Sequence, residues 1–187
     1  DPIVQIHQGD FMEYALNTPE KYSLVIGNPP YINAKKIEKK SLEKAKEICE
    51  QENFLTNVMQ NMWVAFVIGA CRLLESEGTI FFVLPMEFLQ VQYAEKLRRY
   101  LEKKFNTIHI ICFEDIIFTD IEQDICLVYL TNRKQKQRYI LYKEYKNAEE
   151  REPFNINRIQ KNKPLQKWSN AILTDEELTL LKTKTAM

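Results

Sequence analysis

The chain has 187 residues, enough for one domain and the start of a second. Hydrophobic residues make up 45% and charged residues 28%, which excludes collagen-like, low-complexity and wholly disordered chains. Lysine plus arginine and aspartate plus glutamate both number 26, so the net charge is zero and points to no partner. Ile3 to Ile6 alternates weakly and reads as a short strand ending at Gly9-Asp10. Phe11 to Leu16 reads as one or two helical turns, with Asp10 placed to cap them. Tyr22 to Ile26 is a strand, stopped by Gly27-Asn28-Pro29-Pro30, because two prolines continue neither a ladder nor a helix. Lys35 to Glu52 is charged and reads as an exposed helix or a mobile loop. Val58 to Glu75 is expected to be one long buried helix, with Met59, Met62, Trp63, Phe66, Val67, Ala70 and Leu74 at helical spacing and Glu77-Gly78 after its end.

Thr79 to Leu84 is a continuous apolar strand of the kind a parallel sheet buries on both faces. Gln92 to Phe105 is an amphipathic helix, with Tyr93, Leu97, Leu101 and Phe105 four apart. Thr107 to Phe113 and Asp124 to Leu130 are strands that follow each other without a helix, which predicts an antiparallel pair at the sheet's edge. Alternating strands and helices predict an α/β fold with a mostly parallel sheet. Composition shifts near Asn132. From Arg133 to Lys167 about eleven basic residues face four acidic ones, with Tyr139, Tyr142, Tyr145, Phe154 and Trp168 interleaved. A boundary is therefore expected there, dividing residues 1–132 from 133–187. The basic stretch is either a solvated face or a DNA contact.

The four cysteines, Cys49, Cys71, Cys112 and Cys126, lack Cys-x-x-Cys spacing and sit in apolar runs. They read as buried free thiols of a reducing, cytoplasmic compartment, with disulfides or metal as the alternative. No basic-then-apolar signal opens the chain. The uncharged stretch Asn53 to Cys71 holds Asn53, Thr56, Asn57, Gln60 and Asn61, so it reads as a buried helix rather than a membrane span. His7 and His109 are lone histidines on strand-like segments and read as core or edge residues. No cluster has metal-ligand spacing.

Gly27-Asn28-Pro29-Pro30-Tyr31 follows a strand directly, where open α/β sheets bind ligands. The bland reading is a proline-rich turn. The chemical reading is sharper. Consecutive prolines fix the backbone, so the Asn28 side chain and the Pro29 carbonyl become rigid acceptors. Two fixed acceptors match an amino group with two N–H donors, and a neighbouring ring stacks on a planar base, worth about 1–3 kcal/mol. Accepting both protons localises the amine's lone pair, which stabilises a transition state electrostatically.

Asn28-Pro29-Pro30-Tyr31 resembles the catalytic motif of N6-adenine DNA methyltransferases of restriction–modification systems. Gly9-Asp10-Phe11 resembles the segment whose aspartate meets the adenine amine of S-adenosylmethionine in that family. Ile80 to Pro85, the helix from Gln92, and Phe113 to Phe118 followed by Cys126 to Leu130 resemble the later strand, helix and terminal hairpin. The likeness covers roughly residues 4 to 132. It implies a partial Rossmann-like methyltransferase sheet carrying one C-terminal antiparallel strand and a small basic extension. It implies Asn28, Pro29, Pro30 and Tyr31 as catalytic residues and Asp10, Phe11 and Asn28 as cofactor contacts. Tyr31 and Phe118 would stack on the target base, with Phe113 competing for the second place. Arg133, Lys134, Lys136 and Arg138 would contact double-stranded DNA.

The chain departs from the family in one large respect. Its four glycines, Gly9, Gly27, Gly69 and Gly78, are unpaired, so the glycine-rich cofactor loop is absent, as is the acidic residue that holds the cofactor ribose. The chain therefore reads as the C-terminal part of a methyltransferase that begins just before the third strand. Its sheet would have a gap, so self-association, a rearranged first strand, or an upstream segment in trans is expected. Two other function classes stay open: methylation of a protein glutamine or an RNA base amine, and a non-catalytic DNA-binding or assembly fragment.

Overall fold

A computed structural model of the chain describes residues 4–54, 60–115, 124–134, 138–160 and Trp168. Helix α1 (Phe11–Asn17) is followed by β1 (Tyr22–Gly27), α2 (Lys39–Gln51), α3 (Trp63–Arg72), β2 (Leu74–Pro85), α4 (Glu95–Lys104), β3 (Thr107–Phe113), β4 (Ile125–Thr131), β5 (Tyr139–Tyr145) and β6 (Asn155–Gln160). The strands form one sheet in the order β1-β2-β4-β3-β5-β6. β1 pairs parallel with β2, and β3 with β5. β4 runs antiparallel to both β2 and β3, and β6 antiparallel to β5. Four strands therefore share one direction. The antiparallel strand expected from the sequence is β4, and β6 adds a second.

Burial alternates along β3 and β4 as their sequences alternate. Ile108, Ile110, Cys112, Cys126, Val128 and Leu130 join Ile80, Phe82 and Leu84 in one core with α3 and α4. Helix α3 is apolar on nearly every face, and eight of its ten residues are buried. Helix α4 is amphipathic instead and buries Leu97 and Leu101. All four cysteines are buried and unpaired, and burial pushes the Cys49 and Cys71 thiols up to about 12. No helix among the described residues is long and apolar enough to cross a membrane.

Four expectations need correction. The first is the strand at 3–6: residues 4–10 form no strand, and Val4 and Ile6 are 79% and 90% exposed. An isolated strand has no ladder to satisfy its backbone, and no neighbouring strand lies beside this one among the described residues. The second is the long helix. Met62 donates its N–H to Ile32 and Ala34 donates to Gln60, and Asn33 and Asn61 form an antiparallel bridge. That pairing ties residues 60–62 to the chain leaving the motif, and the helix starts only at Trp63. At the other end the residues before Thr79 join β2, where Leu74 pairs with Tyr22. The third concerns only the exposure of the stretch after the motif: of the two readings the helix holds, as α2, but one of its sides buries Ala45, Ile48 and Cys49. The fourth is the edge pair: β3 and β4 sit inside the sheet, because β5 and β6 extend it beyond β3.

Residues past 132 thus share the sheet, and Trp168 is fully buried with its ring edge-on to Phe88. Arg138 brings one guanidinium nitrogen within 2.7–3.1 Å of the Glu102, Lys103 and Phe105 carbonyl oxygens, closing the C-terminus of α4. Arg72 does the same for α1, donating to the Ala15 carbonyl at 2.8 Å and the Leu16 carbonyl at 3.2 Å. Arg72→Ala is expected to lower stability by about 1–3 kcal/mol in urea titrations, because two helix-end carbonyls lose a charged donor.

The outer edge of β1 has no partner strand among the described residues. Leu24 and Ile26 are 51% and 68% exposed there, and no charged residue lies within the strand. Natural edges carry charges or prolines that discourage pairing. The 187-residue chain is expected to self-associate through this edge, and Ile26→Lys to shift it toward monomer in sedimentation velocity. A wild-type chain that stays monomeric at tens of micromolar would show the edge to be inert.

Candidate active site

β1 delivers Gly27 beside Phe82 of β2. A Cβ on Gly27 would lie 3.0 Å from the Phe82 ring, so glycine lets the strand end against that ring. The next residues leave the sheet at the C-terminal ends of β1 and β2. Asn28 is exposed, Pro29 buried and Tyr31 half-buried. The Tyr31 hydroxyl lies 3.0 Å from Asn28 Oδ1 and 3.0 Å from the Val83 carbonyl oxygen. It has one proton and two acceptors. Burial, with the nearby Cys126 adding to it, pushes the Tyr31 phenol up to about 12, so the proton stays on oxygen at neutral pH. The hydroxyl can therefore serve Asn28, or turn to Val83 and leave Asn28 Oδ1 free.

Asp10 caps α1, as its position in the sequence suggests. Its Oδ1 accepts from the Met12 N–H at 2.8 Å. Phe11 stacks on Phe66 of α3 with ring centroids 4.9 Å apart and planes 9° from parallel. Gly69 makes this possible, because a Cβ there would sit 3.0 Å from the Phe11 ring. Two cavities flank Asp10. One of about 460 Å³ runs along His7, Gly9, Asp10, Phe11, Glu13 and Tyr14. The other, about 290 Å³, lies between Asp10, Pro30, Ile32, Ser41, Met62 and Phe66. Ligand cavities span roughly 300–1,000 Å³, so the second holds one small ring system.

Pro30 is the link between the two halves. It belongs to the motif and also walls the cavity that Asp10 lines. A planar heterocycle with an amino group fits these walls: apolar faces from Phe66, Met62 and Ile32, and the Asp10 carboxylate as acceptor, with Lys36, Glu38 and Ser41 completing the lining. Partial burial alone would raise the Asp10 carboxyl, but the Met12 N–H and Lys44 outweigh it and hold the group below the usual carboxylate range. The acceptor is therefore ionised at neutral pH. Phe66, Met62 and Ile32 had no signal of their own in the sequence, where Phe66 and Met62 look like ordinary core positions of a helix.

The sequence of residues 5–118 matches the Eco57I restriction-modification methylase family. The chain belongs to that family. It is 28% identical over 114 residues to the type II methyltransferase M.AccI of Acinetobacter calcoaceticus, which covers 60% of this chain and 21% of that protein. It is 52% identical over 31 residues to a tRNA1(Val) (adenine(37)-N6)-methyltransferase of Musicola paradisiaca, covering 17% of this chain and 12% of the other. Among solved structures it resembles a nuclease-deletion mutant of the type ISP restriction-modification enzyme LlaGI in complex with a DNA substrate mimic. The TM-score is 0.57 at 18% identity, over 79% of this chain and 18% of that one. The chain thus spans about a fifth of the length of M.AccI. The sheet is a Rossmann-like methyltransferase sheet, as the motifs implied.

The structure brings Asn28, Pro29, Pro30, Tyr31, Asp10 and Phe11 to one end of this sheet. It does not bring the basic group there. Asn132 donates its N–H to Gly78, and β4 ends opposite Thr79. Arg133 and Lys134 are therefore at the opposite end, roughly 15–20 Å along the strands at about 3.3 Å per residue. Arg138 lies at that same end beside Asn106. Lys136 and Phe118 lie outside the described residues. Phe113, the alternative to Phe118, ends β3 at the motif's end of the sheet, its ring 5.9 Å from Tyr145.

The Tyr31 hydroxyl ties the turn to β2 through the Val83 carbonyl. Tyr31→Phe keeps the ring and removes that tie, and is expected to lower stability by about 0.5–1.5 kcal/mol in urea titrations, the net worth of one hydrogen bond. An unchanged midpoint would show the contact to be idle.

Proposed function

We propose that the full-length protein transfers a methyl group from S-adenosylmethionine to N6 of adenine in DNA, as the modification activity of a restriction–modification system. One observation carries this reading. The rigid Asn28-Pro29-Pro30-Tyr31 turn shares a wall, Pro30, with a small apolar cavity that ends in the Asp10 carboxylate. An acceptor pair for one amine thus adjoins a pocket suited to an aminopurine ring. The N6 assignment also draws support from the tRNA enzyme, whose name carries adenine-N6 chemistry. DNA as the substrate draws support from the family and from the DNA-bound LlaGI likeness.

When bound, S-adenosylmethionine would supply an electrophilic methyl on a positively charged sulfur. Asp10, Phe11, Phe66 and Pro30 would hold its adenine end. The chain's own work is at the target amine. Asn28 Oδ1 and the Pro29 carbonyl would accept its two N–H groups, and Tyr31 would turn its proton to Val83 as the amine arrives. The target adenine is flipped out of the duplex to reach them, and the Tyr31 ring would stack on one face. The second stacking ring would be Phe118 or Phe113. The amine loses one proton to solvent after it gains the methyl group, so no covalent link to the protein forms.

The uncovered edge of β1 takes a further parallel strand, supplied by an upstream segment of the protein or by a second copy. Residues 133–187 begin a DNA-recognition region whose first strands, β5 and β6, are joined to the catalytic sheet.

The deciding experiment is product analysis. The full-length protein, S-adenosylmethionine and adenine-containing duplex should yield N6-methyladenine after digestion and mass spectrometry. Asn28→Ala should reduce it by about 10²–10³-fold with DNA binding retained, by analogy with loss of one preorganised polar group at a developing charge. Label in cytosine, tRNA or protein instead of DNA adenine would overturn the assignment, and methylation by Asn28→Ala within threefold of wild type would overturn the role of Asn28.

A further inference from the structure

Lys39 to Gln51 looks in the sequence like a solvated, lysine-rich helix. In the fold, burial of Ala45, Ile48 and Cys49 sets how α2 is turned. That rotation carries Ser41 and Lys44, one turn apart, toward the start of α1. Lys44 Nζ lies 3.2 Å from Asp10 Oδ2 and 2.6 Å from Glu13 Oε2, and its side chain is only 17% exposed. Ser41 Oγ lies 3.5 Å from the same Asp10 oxygen. Met12 occupies one lone pair of Oδ1. A carboxylate accepts about four hydrogen bonds; Met12, Lys44 and Ser41 take three, with the Glu13 N–H a weaker neighbour, so Asp10 is pinned on two sides and keeps one acceptor position, on Oδ1, for the cavity it lines. The same part of the chain supplies Lys36, Ile37, Glu38 and Ser41 to that cavity's outer wall. Without Lys44, Asp10 and Glu13 would be neighbouring carboxylates with no cation bridging them.

We propose that Lys44 is a positioning residue for the cofactor's nucleoside: by bridging Asp10 and Glu13 it aims the remaining lone pair of Asp10 Oδ1 into the cavity, where it accepts an N–H of the amino group of an adenine ring. This rests on the S-adenosylmethionine reading above and adds to it a residue outside the family's motifs. It has a sign that ordinary electrostatics would reverse. S-adenosylmethionine carries a positive sulfur, so removing a nearby lysine would by charge alone tighten it. Positioning predicts weaker binding, and the same loss for neutral S-adenosylhomocysteine.

The test is calorimetry on the full-length protein with S-adenosylhomocysteine and with its inosine counterpart, which lacks the amino group. Lys44→Met should weaken S-adenosylhomocysteine roughly tenfold, the scale of one charge-assisted hydrogen bond. Binding of the inosine compound should change less than twofold, and Lys44→Arg should restore most of the loss. Equal weakening of both compounds would make Lys44 merely structural and overturn the proposal, as would wild-type affinity in Lys44→Met. If the wild-type protein binds neither compound, the cofactor reading falls and the role of Lys44 falls with it.

Discussion

The turn after β1 has very little freedom, and the site depends on that. Pro29 and Pro30 each fix φ near −65° and bring no N–H, so Asn28 and Pro29 present carbonyl and amide oxygens without a competing backbone donor at either proline. Pro29 is buried and Gly27 lies flat against Phe82, which leaves the turn no room to shift. Tyr31 then reaches back to Val83 on the neighbouring strand. The peptide is held from both sides: by β1 before it and by the Tyr31 hydroxyl after it. On the reading proposed above, an acceptor pair held this way would need only the turn of the Tyr31 hydroxyl proton from Asn28 to Val83 when an amine arrives, and little reorganisation is the condition for electrostatic stabilisation to be effective.

The same turn organises the chain beyond it. The Ile32 carbonyl accepts the Met62 N–H, and Ala34 donates to Gln60, so the chain leaving the motif sets where α3 starts. Helix α3 carries Phe66, and Phe66 stacks on Phe11 beside Asp10. Helix α2 lies between the two segments and returns Lys44 to Asp10. The loop from the motif to α3 thus forms the outer wall of the cavity. A segment that reads from the sequence as an exposed helix or a mobile loop supplies Lys36, Ile37, Glu38 and Ser41 to the cavity.

Much of this was legible in the sequence, and the misses have physical causes. Strands β1, β2, β3 and β4 announced themselves because apolar runs ended by prolines, glycines or polar residues leave few alternatives. The cap at Asp10 and the motif at Asn28 were readable because their chemistry is local. The strand at 3–6 failed because a strand exists only with a neighbour, and periodicity does not count neighbours. The helix over 58–75 was overdrawn because ladder pairing of Gln60 and Met62 with Ala34 and Ile32 overrode propensity. Lys44 and Phe66 were invisible for a related reason: each matters for what it meets across the fold. Where the basic run lies was not legible, because charge counting has no direction: Arg138 closes a helix end, and Arg133 and Lys134 follow β4 at the end of the sheet opposite the motif.

Pro30 gives the two halves of the site a common wall, and that has an energetic consequence. A ring filling the cavity between Asp10 and Phe66 would press on Pro30 and Ile32, the residues that hold Asn28 and Met62 in register. On the reading proposed above, both ligands would meet one wall of fixed shape. The prolines and the burial of Pro29 already hold that wall, so neither ligand would have to order it for the other. What the shared wall would set is the spacing between a ring in the cavity and an amine at Asn28, and spacing of this kind is what converts binding into proximity.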